Sequence, residues 1–305
     1  MDVRHLQLLR DLAERGSVTE VARVTQRTPS AVSQQLKAAQ RDLGARLVEP
    51  DGRGIRLTEA GRLLARGGAE VATAVERVRA SWDEFQGAPS GSVSLAGLPS
   101  AATFLLPGVL DALREESIAV HCTDIDIAES EFGALTADHD IVLAHSLTGR
   151  APAGTAGLRT VALVREPLDI ALPSGHPLAR RTELEPGDLV AQDWIGVPSG
   201  FPFDTVLQAI ERSTGQRLRV TQRLRDNRLI EALVVGGQGV AVLPRFTTRE
   251  AGGLALRPLR GIPTGRYVFA VLRPDRAERL AVRRVLDALV TVASRLATAQ
   301  DESDR

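Results

Sequence analysis

Residues 17–61 constrain the fold of this chain more than any other stretch. At their centre, Thr28 is a good helix N-cap, and Pro29 takes the first helical position, where its missing N–H costs nothing. Val32, Leu36, Ala39 and Leu43 then recur at helical spacing as one apolar stripe, and Gly44 ends the helix. Ser30, Ser33, Gln34, Lys37 and Arg41 fall on the remaining surface. Upstream, Ser17 caps a shorter helix over about 18–25, with Val18, Val21 and Ala22 turned inward. Downstream, strands at 46–48 and 54–57 flank Pro50-Asp51-Gly52, a hairpin signal. The pattern is a helix-turn-helix with a two-stranded wing. Its second helix, small and polar at the start, suits a DNA major groove. A small helical subdomain with a solvated polar face is the plainer alternative.

Local charge favours the first. From 23 to 56 there are seven basic residues (Arg23, Arg27, Lys37, Arg41, Arg46, Arg53, Arg56) against three acids, a local excess of four in a chain of net charge zero. Phosphate neutralisation supplies most non-specific DNA affinity, so the excess lies where a DNA-binding head needs it. Elsewhere Arg replaces Lys almost completely, a bias expected of genome composition.

A helix over 3–15 precedes this unit, with Leu6, Leu9, Leu12 and Ala13 on one face, and Gly16 ends it. Thr58 caps a long helix over 59–86. Leu64, Gly68, Val71, Val75, Val78, Trp82 and Phe85 follow the alternating four-and-three spacing of a coiled-coil seam. Some 28 residues span roughly 40 Å, too long for a 60-residue head to bury, so the seam predicts dimerisation through Leu64, Val71, Val75, Val78, Trp82 and Phe85. The alternative is an amphipathic helix packed on its own domain. Residues 87–91 form a hinge.

Beyond the hinge, strands (93–96, 119–124, 140–145, 161–164, 168–172, 217–223, 240–243, 267–272) alternate with helices (103–116, 130–137, 202–214, 227–236, 277–297), which implies an α/β sheet with ligands at the strands' carboxyl ends. A single cysteine, Cys122, permits no disulfide within the chain and is expected to be a buried strand residue in a reducing, cytoplasmic protein. No stretch approaches the roughly 20 apolar residues of a membrane span, and nothing at the N-terminus resembles a signal peptide. The five histidines are scattered without metal-ligand spacing, and there is no nucleophile elbow, P-loop or dinucleotide fingerprint. No cofactor, no metal and no enzymatic activity are expected.

Gly16-Ser17-Val18-Thr19, Ala22, Ala31-Val32-Ser33, Gln35-Leu36-Lys37, Leu43-Gly44, Leu47 and Leu57-Thr58-Glu59-Ala60-Gly61 follow one another in the head. His176-Pro177-Leu178-Ala179, Asp188-Leu189, Trp194-Ile195 and the run from Gly237 to Pro244 follow downstream. In order and spacing the chain resembles the LysR-type transcriptional regulators over most of its length. Thr25, Ala39 and Val48 depart from the family's usual Leu, Leu and Phe, Pro29 replaces a common Gln, and Pro50 a common Arg.

The resemblance implies a multidomain α/β protein. A winged helix-turn-helix occupies 1–58, the dimerisation helix 59–86 and the hinge 87–91. A periplasmic-binding-protein-like effector domain follows at 92–300, with subdomain I at about 92–163 and 266–300 and subdomain II at about 164–265. It assigns base reading to Ser30, Ser33 and Gln34 and phosphate contact to Thr28, Lys37, Arg53 and Arg56. It places a small-molecule effector in a cleft lined by Ser100, His145, Ser199, Gly200, Phe201 and Asn227, where helix N-termini and hydroxyls suit small carboxylates. The implied partners are promoter or operator DNA, a second copy in a homodimer or homotetramer, and RNA polymerase. An accessory head on a small-molecule-binding protein or enzyme, and an effector-independent repressor with a vestigial pocket, are the rival readings. Eight acids and no Lys or Arg between 115 and 149, against six Arg and one acid between 212 and 228, suggest either opposite charges meeting across a dimer interface or two solvated faces.

Overall fold

A computed structural model describes residues 2–52, 54–87, 89–125, 127–199, 201–250 and 252–303. Three helices build the head: α1 (Val3–Arg15), α2 (Val18–Val24) and α3 (Pro29–Leu43). Each starts on a side-chain cap, in which Asp2, Ser17 and Thr28 accept the backbone N–H of Arg4, Glu20 and Ala31. Gly16 and Gly44 end α1 and α3 in the left-handed region, at φ 63° and 62°. Leu8, Leu9 and Leu12 of α1 pack with Val21, Ala22, Val32, Leu36 and Ala39 in one core.

The wing pairs β1 (Val48–Asp51) antiparallel with β2 (Gly54–Leu57), setting Glu49 opposite Arg56. Its first strand begins two residues later than the expected 46–48 because Leu47 is committed elsewhere. Leu47 is fully buried, its N–H donates to Gln40 Oε1 at 2.9 Å, and its carbonyl accepts from Thr58 N at 3.0 Å.

Helix α4 (Glu59–Gln86) corrects the expected seam. A Cβ on Gly61 would lie 2.1 Å from the Leu47 carbonyl oxygen, and one on Gly68 2.5 Å from that of Leu6. Leu64 packs against the head core. The N-terminal half of α4 therefore lies on its own head: Leu64 leaves the dimerisation set because the head core covers it, and Gly68 leaves the seam because only a residue without a side chain lets α4 cross α1 this closely. Val75, Val78, Trp82 and Phe85 stay exposed, Phe85 at 80%.

The remainder runs β3 (Ser90–Gly97), α5 (Pro99–Ala112), β4 (Ser117–Asp124), α6 (Phe132–Leu135), β5 (Ile141–Ser146), β6 (Arg159–Glu166), β7 (Leu168–Pro173), β8 (Asp193–Gly196), α7 (Pro202–Thr214), β9 (Arg219–Arg223), α8 (Asn227–Val235), β10 (Val240–Pro244), β11 (Leu254–Arg257), β12 (Arg266–Leu272), α9 (Pro274–Glu278) and α10 (Leu280–Ser303). Among the described residues these strands form two five-stranded sheets, β4-β3-β5-β12-β6 and β11-β7-β10-β8-β9. The chain passes between them at Pro167 and again between β11 and β12, and each sheet has its own apolar core.

Four further expectations shift. Ser90 and Gly91, read as hinge, already belong to β3. Helix α5 starts at Pro99 rather than 103 and stops at Ala112. The closing helix divides at Arg279, which is extended (φ −60°, ψ 131°) and sends its guanidinium to Asp140 at 2.6 Å. Cys122 is exposed, not buried, because β4 is the outer strand of its sheet. Partial burial of its thiol, then the Asp124 charge, raise its pKa, so the reactive thiolate is disfavoured. Strand β11 was not foreseen, since Leu-Ala-Leu after two glycines carries no periodicity.

Candidate functional site

The head presents its polar surface outward. Thr28 at the cap and Ser30, Gln34 and Lys37 are exposed and Ser33 is half-buried, the last four on the face of α3 away from the core-facing Val32, Leu36 and Ala39. The capping bond of Thr28, 3.2 Å to Ala31 N, uses its oxygen as acceptor and leaves the hydroxyl proton free to donate. Between α3 and the wing runs a groove of about 1070 Å³ lined by Gln34, Lys37, Arg41, Arg46 and Pro50. Arg41 and Arg46 thus join the candidate phosphate contacts. Their part in the local charge excess was visible in the sequence, but their place in the groove was not. Arg56 is held by Glu49 at 2.9 Å. Arg27 is aimed by Gln35, which accepts from it at 2.5 Å and donates to the Arg4 carbonyl at 2.8 Å. Arg53 lies outside the described residues.

A second site of about 580 Å³ opens between the two sheets, with Ser100, Thr103, His145, Phe201, Asn227 and Thr247 in its wall. Helices α5 and α7 both begin here with proline at the first position and no side-chain cap, so their first turns leave backbone N–H groups open. His145, next to last in β5, has 1% exposure, its ring edge-on to Phe132 at 5.2 Å. Burial, helped by the Arg266 charge, lowers its pKa to about 3. The ring is therefore neutral, with one nitrogen to donate and one to accept. Neither finds a partner among the described residues, and neither does the buried Thr247 hydroxyl.

Beside His145 lies a pair that sequence reasoning missed. The buried Arg266 donates through Nε to Glu166 Oε2 at 2.6 Å and through a terminal nitrogen to Ser100 Oγ at 2.8 Å. Glu166 also accepts from Phe246 N at 3.1 Å. Burial raises the Glu166 carboxyl, while Arg266 and that N–H pull it back. The pair sits where the chain passes between sheets. Nothing signalled it in sequence, since its members are a hundred residues apart. Arg225 stacks on Phe201 at 4.7 Å and closes one rim.

Of the other expected cleft residues, Ser199 is exposed and does not line the cavity, because its loop turns outward before Phe201. Gly200 lies outside the described residues. The two charged stretches map onto opposite outer strands, β4 and β9. Part of each is committed within the chain, since Glu116 pairs with Arg284, Asp140 with Arg276 and Arg279, Arg219 with Asp193, and Arg223 with Asp204. Glu115, Asp124, Arg212 and Arg217 are not buried, and Asp126 lies outside the described residues. Among the described residues no helix is long and apolar enough to cross a membrane.

Residues 3–62 match the family described as "Bacterial regulatory helix-turn-helix protein, lysR family", and residues 86–294 match the "LysR substrate binding domain". The transcriptional dual regulator GltC of Bacillus subtilis is 28% identical over 253 residues, 82% of this chain and 83% of its own. A probable RuBisCO transcriptional regulator of Synechocystis is 25% identical over 299 residues, 92% of this chain and 84% of its own. The fold matches a full-length OxyR variant from Pseudomonas aeruginosa with a TM-score of 0.68 at 17% identity, covering 95% of this chain and 94% of that one.

Proposed function

The chain belongs to the LysR family of bacterial regulatory helix-turn-helix proteins, and we propose that it regulates transcription as a dimer or tetramer whose paired heads read double-stranded DNA under the control of a small molecule in the effector cleft. The observation that carries the DNA half is α3 itself. Its apolar stripe lies in the head core, which leaves Ser30, Ser33 and Gln34 for base edges and Lys37 and Arg41 for phosphates, with Thr28 at its cap, Arg46 beside it and Arg56 once DNA displaces Glu49. The exposed Val75, Val78, Trp82 and Phe85 then pair two α4 helices, bringing two heads to two half-sites.

The orphaned polar groups of the cleft support the sensing half. A buried neutral imidazole and a buried hydroxyl without partners each cost about 1–3 kcal/mol until a ligand or water satisfies them. A small polar molecule with an acceptor for Ser100 and the open first turns of α5 and α7, and a donor–acceptor edge for His145 and Thr247, satisfies all of them together. Asn227, Phe201 and Arg225 close around it. Neither site assembles a nucleophile, base and oxyanion donors, and the reading is of a binder rather than an enzyme. A DNA partner supports a cytoplasmic location.

Thermal shift of the full chain against a panel of small acids, aromatic compounds and amino acids tests the cleft. A ligand that raises the midpoint in the wild type and fails in both Ser100→Ala and His145→Phe supports it. A ligand whose effect survives both substitutions assigns the binding elsewhere.

A further inference from the structure

The head does not hang free on α4. Three side chains on the outer face of α1 reach the effector domain of the same chain. Arg10 meets Asp275 at 3.1 Å, Glu14 meets Arg273 at 2.5 Å, and Arg15 grips both oxygens of Asp138, at 2.7 and 3.0 Å. Arg15 also donates to the Ala137 carbonyl at 2.9 Å. Within the cluster Arg273 holds Asp275 by two further bonds, at 3.0 and 2.9 Å. Arg77 to Glu278 (3.1 Å) and Arg283 to Glu84 (2.8 Å) extend the contact along α4.

These are not ordinary surface pairs. The Arg273 side chain is only 10% exposed and that of Asp275 12%. Burial raises the Glu14 carboxyl, whereas the arginines around Asp275 hold its carboxyl below the usual range against its burial. Isolated exposed pairs contribute little, but a partly buried, multiply bonded network fixes one geometry. The head's apolar core contains none of these charges, and although Arg10 also pairs with Asp11 and Glu14 inside α1, all three α1 side chains reach across to the effector domain.

The contact is also wired to the cleft. Arg273 directly follows β12, whose first residue is Arg266 in the cleft wall, roughly 23 Å away at the ordinary rise of a strand. Asp138 and Asp140 directly precede β5, whose fifth residue is His145. Strands β5 and β12 are adjacent and antiparallel, with Val268 opposite His145 and Val271 opposite Val142. Every residue of β5, and all of β12 but Tyr267, is buried. At the far end Asp140 is anchored by Ser94, Arg276 and Arg279, between 2.6 and 3.1 Å. A packed strand pair of this kind shifts as a unit.

We propose that Asp138, Arg273 and Asp275 form a docking site for the head of the same chain, and that a change at His145 or Arg266 in the cleft reaches this dock along β5 and β12. The dock holds the head's angle to the effector domain, and so the spacing of two heads in a dimer. It leaves α3 uncovered, so the docked head stays competent to read DNA. The inference rests on the regulator reading only for what the dock controls.

Distance measurement without DNA therefore tests the dock separately from that reading. In a Cys122→Ser background, spin labels go on Glu59→Cys, at the start of α4 where it packs on the head, and on Thr291→Cys in α10, with excess unlabelled chain so that only distances within one chain register. The dock predicts one narrow distance. Removing all three contacts from the head (Arg10→Ser, Glu14→Gln, Arg15→Ser) broadens it at least twofold. Arg15→Asp alone broadens it partly, and adding Asp138→Arg narrows it again. A broad distribution in the wild type, or a triple variant as narrow as the wild type, overturns the dock. Ser100→Asp, which sets a second carboxylate against Arg266, moves the narrow distance if the strands carry the signal. An unmoved distance overturns that link.

Discussion

The two sites carry their polarity in opposite ways. On the head, Ser30, Gln34, Lys37 and Arg41 stand in solvent, hydrated and free of cost until DNA arrives. In the cleft, His145, Glu166, Arg266 and the Thr247 hydroxyl are withdrawn from solvent, and the His145 ring and the Thr247 hydroxyl find no partner among the described residues. A surface of the first kind binds by Coulomb attraction, depends on salt and adds nothing to the fold. A site of the second kind is part of the fold's own energetics, so whatever disturbs it registers as stability. One chain thus holds a reader that is thermodynamically quiet when empty and a sensor that is not.

The sharpest way to break this contrast is Glu166→Gln. It leaves the Arg266 guanidinium buried opposite a neutral amide, and removing one partner of such a pair costs about 3–5 kcal/mol. Denaturation followed at the buried Trp194, in a Trp82→Phe background, is expected to show that loss, while the helical content of the head melts as before. A variant as stable as the parent would mean that the pair does not hold the cleft.

Acid gives the next largest effect. With the folded-state pKa of His145 lowered to about 3 and an unfolded value near 6.5, the unfolded chain binds the extra proton between those limits. The stability contribution is complete above pH 6.5 and is lost as pH falls through the window, by about 3 kcal/mol at pH 4. His145→Gln removes that dependence. An equal slope in parent and variant assigns the acid sensitivity to other groups.

Lys37→Ala sharpens the other side of the contrast. It is expected to weaken binding to every DNA sequence about tenfold, or about 1.4 kcal/mol, and to lower the salt slope by roughly 0.9, with no change in melting temperature. A variant altered only in sequence preference would show that Lys37 reads bases instead. The smallest effect is at Thr28→Ala, where loss of the α3 cap costs the head about 1 kcal/mol and leaves the Trp194 transition untouched.

The head was legible in sequence because its determinants are local. A cap, a proline at the first helical position, an apolar stripe and a terminal glycine all lie between Thr28 and Gly44, and each acts on its own neighbours. The effector domain's alternation was legible for the same reason. Four features were not. The burial of Gly68 on α1 reads in sequence like any seam position, since spacing does not say which helix will cover a stripe. The pairing of Glu166 with Arg266, and the grip of Arg273 and Asp138 on α1, join residues a hundred or more positions apart through the closing of the sheet. Cys122 sits on an outer strand only because nothing pairs beyond β4 among the described residues.

The measurement that most directly tests the account is selection of fragments of the organism's own genome by the purified full chain at low ionic strength, followed by footprinting of what is retained. Paired protected segments sharing one sequence, centred a helical turn or a multiple of it apart and lost steeply with added salt, are the predicted result. Retained DNA with no common sequence, a single protected half-site, or no retention at all would contradict it.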